Sequence, residues 1–198
     1  MVIRLITGAL VALLMLAASP RAIANVDKSP VITQAATQQW LDVTQQIAEA
    51  GLMPMDLDWP LTLDRQELMD SAQRLLSEAG VWQDLQDMLA QHNMTFGEWL
   101  AYSFRLGVAG AANVLQEQLP TLIEQVQSVL NVLRSDMLEL PEPDIVKQLE
   151  NSLILLEQAE QVSEPEMAVY RQFKPQFEAL ISQYPAWGEL LDVAPGEL

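Results

Sequence analysis

From residue 36 to residue 184, apolar side chains recur at steps of three and four. That is the period of an amphipathic helix. No long alternating run of β-branched residues competes with it, and no repeat of fixed length lies over it. The chain is therefore expected to be all-α, an irregular multi-helix bundle rather than a symmetric four-helix one.

Punctuation along the chain divides the pattern into about seven helices. Ala36, Trp40, Val43, Ile47 and Ala50 line a first helix that Gly51 can end in a left-handed cap. Leu68, Ala72, Leu75 and Ala79 mark a second, stopped by Gly80, and Trp82, Leu85, Leu89 and His92 mark a short third. Thr95-Phe96-Gly97-Glu98 reads as a capping box opening a helix over 96–118. From Trp99 to Leu115 that helix is apolar nearly all round, with Arg105 its only charge, so it should run through the middle of the bundle. Gly107, Ala109, Gly110, Ala111 and Ala112 remove bulk there and let a neighbouring backbone approach.

Leu119, Leu122, Val126, Val129, Leu133 and Met137 continue at helical spacing, with Pro120 opening the new helix. Leu140-Pro141-Glu142-Pro143 forms a stiff turn, and Leu149, Leu153 and Leu156 form the returning face of a hairpin. Ser163-Glu164-Pro165-Glu166 is a second capping box. Tyr170, Phe173, Phe177, Leu180 and Tyr184 make the last stripe, which Pro175 should kink or interrupt near Phe173.

The ends read differently. Arg4 precedes an apolar run of 14 residues, Leu5 to Ala18, and Ala22-Ile23-Ala24 has the small-residue form of a cleavage site. This is the pattern of a secretory signal peptide over 1–24, with the mature chain starting at Asn25 and residing in the periplasm or outside the cell. The run is shorter than the roughly 20 residues a spanning helix needs, and no transmembrane span is expected in the mature chain. Residues 25–184 are expected to form a single helical domain and 185–198 a flexible tail.

Losing residues 1–24 removes Arg4 and Arg21 and no acid, leaving 8 Lys+Arg against 27 Asp+Glu, a net charge of −19. Such a surface repels nucleic acid, whose binding rests on lysine and arginine neutralising phosphates. An anionic membrane surface is disfavoured on the same ground. Cysteine is absent, so packing alone must hold the fold, and thiol nucleophiles and Cys-containing zinc sites are excluded. His92 is the only histidine and falls at a helix end, where the dipole favours a cation.

Carboxylates are the reactive groups in supply. Glu98, beside Phe96, Trp99 and Tyr102, is the one candidate for a peptidoglycan-cleaving acid, although the capping box already accounts for it. The motifs that surround the catalytic glutamate of lytic transglycosylases do not accompany it. Asp56, Asp58, Asp64 and Glu67 fall at positions one, three, nine and twelve of a calcium loop. Pro60 and Leu61 stand where that loop requires an oxygen ligand and a glycine, which leaves a weak calcium module as a lesser alternative. Met53, Met55, Met69, Met88 and Met94 could offer thioethers to copper, and packing is the simpler role.

No motif calls for a cofactor. The expectation is a non-enzymatic accessory or interaction protein that binds an envelope protein or an apolar ligand. Trp59, Trp82, Trp99 and Tyr102 are the aromatics expected to line its groove. A carboxylate-dependent cell-envelope hydrolase is the competing expectation.

Overall fold

The computed structural model describes residues 30–52, 65–134 and 143–184. Among them are seven α-helices and no strands. They are α1 (Gln34–Glu49), α2 (Arg65–Glu78), α3 (Trp82–Gln91), α4 (Phe96–Leu115), α5 (Leu119–Arg134), α6 (Pro143–Glu160) and α7 (Glu164–Gln183). The leader, the loop carrying Trp59, most of the 140–143 turn and the tail from Pro185 lie outside the described residues.

Three of the corners share one construction. After α1, Gly51 takes φ +65° and its N–H donates to Ala48, while the N–H of Leu52 donates to Ile47. After α2, Gly80 (φ +76°) donates to Ser77 and Val81 to Leu76. After α3, Asn93 (φ +52°) donates to Ala90 and Met94 to Leu89. Each is a Schellman cap, in which a left-handed residue lets two orphan carbonyls be satisfied. The apolar residue after each cap, Leu52, Val81 or Met94, belongs to the same cluster as the helix residue its N–H reaches. Asparagine serves at the third corner because its short polar side chain tolerates the left-handed region.

α4 occupies the middle, packing against α1, α3, α6 and α7. Its apolar circumference requires that position, and its small residues permit close contact: a β-carbon on Gly110 would stand 2.8 Å from the Tyr170 hydroxyl of α7. One cluster gathers Val43, Ile47, Leu76, Leu85, Leu89, Phe96 and Trp99 at the α1–α3 end. A second gathers Ile32, Tyr102, Leu106, Val108, Ala109, Ala112, Leu156 and Met167 at the other end. Trp40 of α1 packs against both.

α5 and α6 pack on each other as an antiparallel pair. Arg134 reaches Glu150 while Gln127 reaches Glu157, so the partners run in opposite directions along the two helices. α5 buries Leu119, Ile123 and Leu130. Val129, expected on the inner stripe, is 47% exposed instead, because the buried face centres on Leu119, Ile123 and Leu130, with Leu122 and Val126 packed half-buried beside it. Helix 96–118 ends at Leu115, three residues early, as residues 116–118 turn into α5. α7 continues through Pro175, which does not interrupt it. The helix is carried past the missing N–H by tertiary packing of Phe173 and Leu180, both buried on either side of the proline.

Candidate functional site

The largest concentration of buried polar chemistry centres on Glu166, in the first turn of α7. Glu166 is buried, its side chain 7% exposed, and Arg105 of α4 faces it at 16%. Arg105 Nε donates to Oε1 at 3.1 Å, and Nη2 donates to Oε1 and Oε2 at 2.8 Å each. Oε2 also accepts from the Ser163 N–H at 3.1 Å and the Ser163 hydroxyl at 2.8 Å. Oε1 accepts the Ile32 N–H at 3.3 Å, from the segment before α1. One carboxylate thus joins the N-terminal segment, the centre of α4 and the α6–α7 corner.

Burial alone would raise the Glu166 carboxyl, but the hydrogen bonds from Arg105 and Ser163 and the charge of Arg105 outweigh it and hold it below the ordinary carboxylate range. It is a charged structural acceptor at neutral pH. A general acid needs the opposite shift.

Beside this hub runs a seam of hydroxyl contacts between α1 and α4. Tyr102 shares a 2.9 Å hydrogen bond with Thr37, Trp99 Nε1 donates to Thr44 Oγ1 at 2.9 Å, and Trp40 Nε1 donates to Ser103 Oγ at 2.9 Å. Thr37 and Thr44 are completely buried. Threonine and serine at these positions are what allow two tryptophans and a tyrosine to enter a core without an unsatisfied N–H or O–H. Burial raises the Tyr102 phenol against the lowering effect of its Thr37 and Thr33 hydrogen bonds, with the Glu166 charge adding to the rise.

Of the aromatics expected to line a groove, Trp99 and Tyr102 are each 5% exposed and hydrogen-bonded inside the bundle, so they present no surface to a ligand in this state. Trp82 is half-buried and packs edge-on against Phe96, with ring centroids 5.3 Å apart. Trp59 lies outside the described residues, as do Asp56, Asp58 and Asp64 of the acidic loop; Glu67 is in α2.

Glu98 is exposed and completes the capping box: its Oε2 accepts the Thr95 N–H at 2.8 Å and the Thr95 hydroxyl at 2.7 Å, and its own N–H donates to Thr95 Oγ1 at 3.2 Å. The backbone and side-chain hydrogen bonds from Thr95 lower its carboxyl. His92 places Nε2 3.2 Å from Gln46 Oε1, and its carbonyl accepts from Gln39 at 2.6 Å, so it ties α3 to α1. Met69, Met88 and Met94 pack around the α1–α3 cluster. Among the described residues, no group of His, Asp or Glu side chains could hold a metal ion.

The Arg105–Glu166 pair was legible only in half. An arginine alone in an apolar helix implies a buried acid somewhere, since such a charge is almost never buried unpaired. Which acid answers it depends on a contact across 61 residues.

An outer depression of about 420 Å³ lies along α5, where Glu124, Gln127, Ser128, Asn131 and Val132 line one helical face. Among the described residues, fold and site together define an all-helical bundle keyed by the buried Arg105–Glu166 pair, with no helix long and apolar enough to cross a membrane. The chain matches no protein-family model, no curated protein and no solved structure.

Proposed function

We propose that this chain is an exported, non-enzymatic accessory protein that acts by binding a partner protein or apolar ligand in the cell envelope. One observation carries the reading: α5 exposes apolar side chains, Val129 at 47% and Val132 at 54%, and Val132 lines the depression. The carboxylates best placed for chemistry already have structural partners. Glu166 holds Arg105 and Ser163, and Glu98 caps α4.

The test is a pull-down from envelope extract with the mature chain and with Val129→Asp. A partner retained by the parent and lost by the variant, at unchanged helical circular dichroism, supports the reading. Identical retention by both removes α5 from it. The hydrolase alternative has less support, because the lowered Glu98 carboxyl runs against a general acid. Peptidoglycan hydrolysis by the parent that Glu98→Gln abolishes would reverse the order of the two.

A further inference from the structure

The four residues ahead of α1 are fastened to the bundle in a way that differs from everything beneath them. Ile32 is 3% exposed and shares the cluster of Tyr102, Leu106 and Met167. Its N–H donates to Glu166 Oε1 at 3.3 Å. The Tyr102 hydroxyl stands 3.4 Å from both the N–H and the carbonyl of Thr33. Val31, next to Ile32, is 66% exposed. Thr33 is fixed to α1 as its N-cap, its Oγ1 accepting the Ala36 N–H at 3.2 Å and its carbonyl accepting the Thr37 N–H at 2.9 Å and the Thr37 hydroxyl at 2.8 Å. Ahead of Thr33, residues 30–32 are held by the buried Ile32 side chain and by the 3.3 Å bond from the Ile32 N–H to the Glu166 carboxylate.

We propose that residues 30–32 are a strap that acid releases: protonation of Glu166 withdraws its grip on Ile32 while the helices beneath stay assembled. This goes beyond the binding role argued above and does not depend on it.

The physical grounds are an inequality of attachments. A protonated carboxyl is a weaker acceptor than a carboxylate, and it cannot satisfy Arg105, Ser163 and Ile32 together. The longest of those contacts, the one to Ile32, yields first. α4 and α7 keep their own apolar interface, from Ala109 and Ala112 to the fit of Gly110 under Tyr170. Segments with few buried contacts open locally at far lower free energy than a whole domain.

The groups facing Glu166 set the direction. α4 contributes the Arg105 guanidinium and Tyr102, whose phenol stays protonated throughout the acid range; the α6–α7 corner contributes Ser163, and α1 contributes the Thr37 hydroxyl, through Tyr102. The charge that acts on Glu166 is that of Arg105. Glu166 is held below the ordinary carboxyl value of 4.5, so the strap is secure above that pH and lifts as the pH falls beneath it. Lifting vacates the seat of Ile32 and opens a small apolar site next to Tyr102.

The chain has no cysteine, so Ile32→Cys in the full mature protein reports the strap alone. The probe is 4,4′-dithiodipyridine, whose disulfide the thiol attacks, forming a mixed disulfide and releasing pyridine-4-thione. Val31→Cys supplies the rate for an exposed neighbour. At pH 7 the thiol at position 32 should react about tenfold or more slowly than the one at 31. Adding Glu166→Gln, which mimics the protonated state, should bring the two rates together with helical circular dichroism unchanged. With Glu166 intact, the ratio should approach one as the pH falls below 4.5, and with Gln it should be independent of pH. Equal rates at 31 and 32 at pH 7, or slow labelling that survives Glu166→Gln, overturn the proposal. So does loss of helix in Glu166→Gln, because the carboxylate would then hold the whole bundle rather than its strap.

Discussion

The contact of α1 and α7 with α4 and the contact of α5 with α6 are both helix-on-helix packing, yet they are specified by different means. α4 meets its neighbours through a buried ion pair, two tryptophan–hydroxyl bonds and a tyrosine–threonine bond. α5 meets α6 through aliphatic side chains, with Arg134–Glu150 at the rim, 57% and 42% exposed. A polar contact in a core has one satisfactory register, whereas aliphatic faces tolerate sliding and repacking. The α4 interfaces are therefore where the fold is fixed in detail, and the hairpin is where substitution is cheap.

Removing one partner of the buried pair should produce the largest effect. Arg105→Met leaves Glu166 charged without its counterion and should cost about 3 kcal/mol, the low end for a buried pair because the guanidinium is slightly exposed. The double change Arg105→Met, Glu166→Met should recover most of that in urea unfolding. A double variant as unstable as the single would show that the pair stabilises the fold outright rather than specifying it.

Gly110→Val comes next, since its β-carbon already meets the Tyr170 hydroxyl, and overpacking of this kind costs about 1–3 kcal/mol. Tyr170→Leu in the same chain should restore part of the melting temperature. Thr44→Val strands the Trp99 indole N–H in the core, for a loss of about 1–3 kcal/mol. At the other extreme, Arg134→Ala should change stability by less than about 1 kcal/mol, and high salt should erase even that.

Acid sharpens the same contrast. The depressed Glu166 and Glu98 carboxyls both contribute stability that is complete above 4.5 and lost as the pH drops through their folded values. Urea midpoints measured from pH 6 to pH 3 should fall for the parent and fall less for the Arg105→Met, Glu166→Met chain. Parallel curves would remove Glu166 as a source of the acid sensitivity.

Local signals were read from the sequence more faithfully than distant ones. Gly51 and Gly80 end helices as their position suggests and both capping boxes mark true starts, whereas the close approach at the small residues of α4 is made at Gly110 by the Tyr170 side chain rather than by a backbone. Glu166 was legible only as a cap, because Ser163 three residues earlier gives it a complete local explanation and Arg105 is distant in sequence. Trp99 and Tyr102 sit beside polar neighbours in the sequence, and only folding shows that Thr44 and Thr37 of another helix receive them. Asn93 carries the weakest of the three corner signals, since asparagine occupies the left-handed region less often than glycine. Pro175 does not interrupt α7, where buried Phe173 and Leu180 pack on either side of it.

The three left-handed corners leave the α1–α3 end little freedom to vary in length. Leu52, Val81 and Met94 each stand one residue past the left-handed residue of a bend and already lie in or against the cluster of Ile47, Leu76 and Leu89. Inserting even one residue at such a bend would draw its hydrophobic anchor outward and unseat two carbonyl partners at once. Growth or grafting in this protein should be accommodated elsewhere, and these three bends should behave as fixed joints of the architecture.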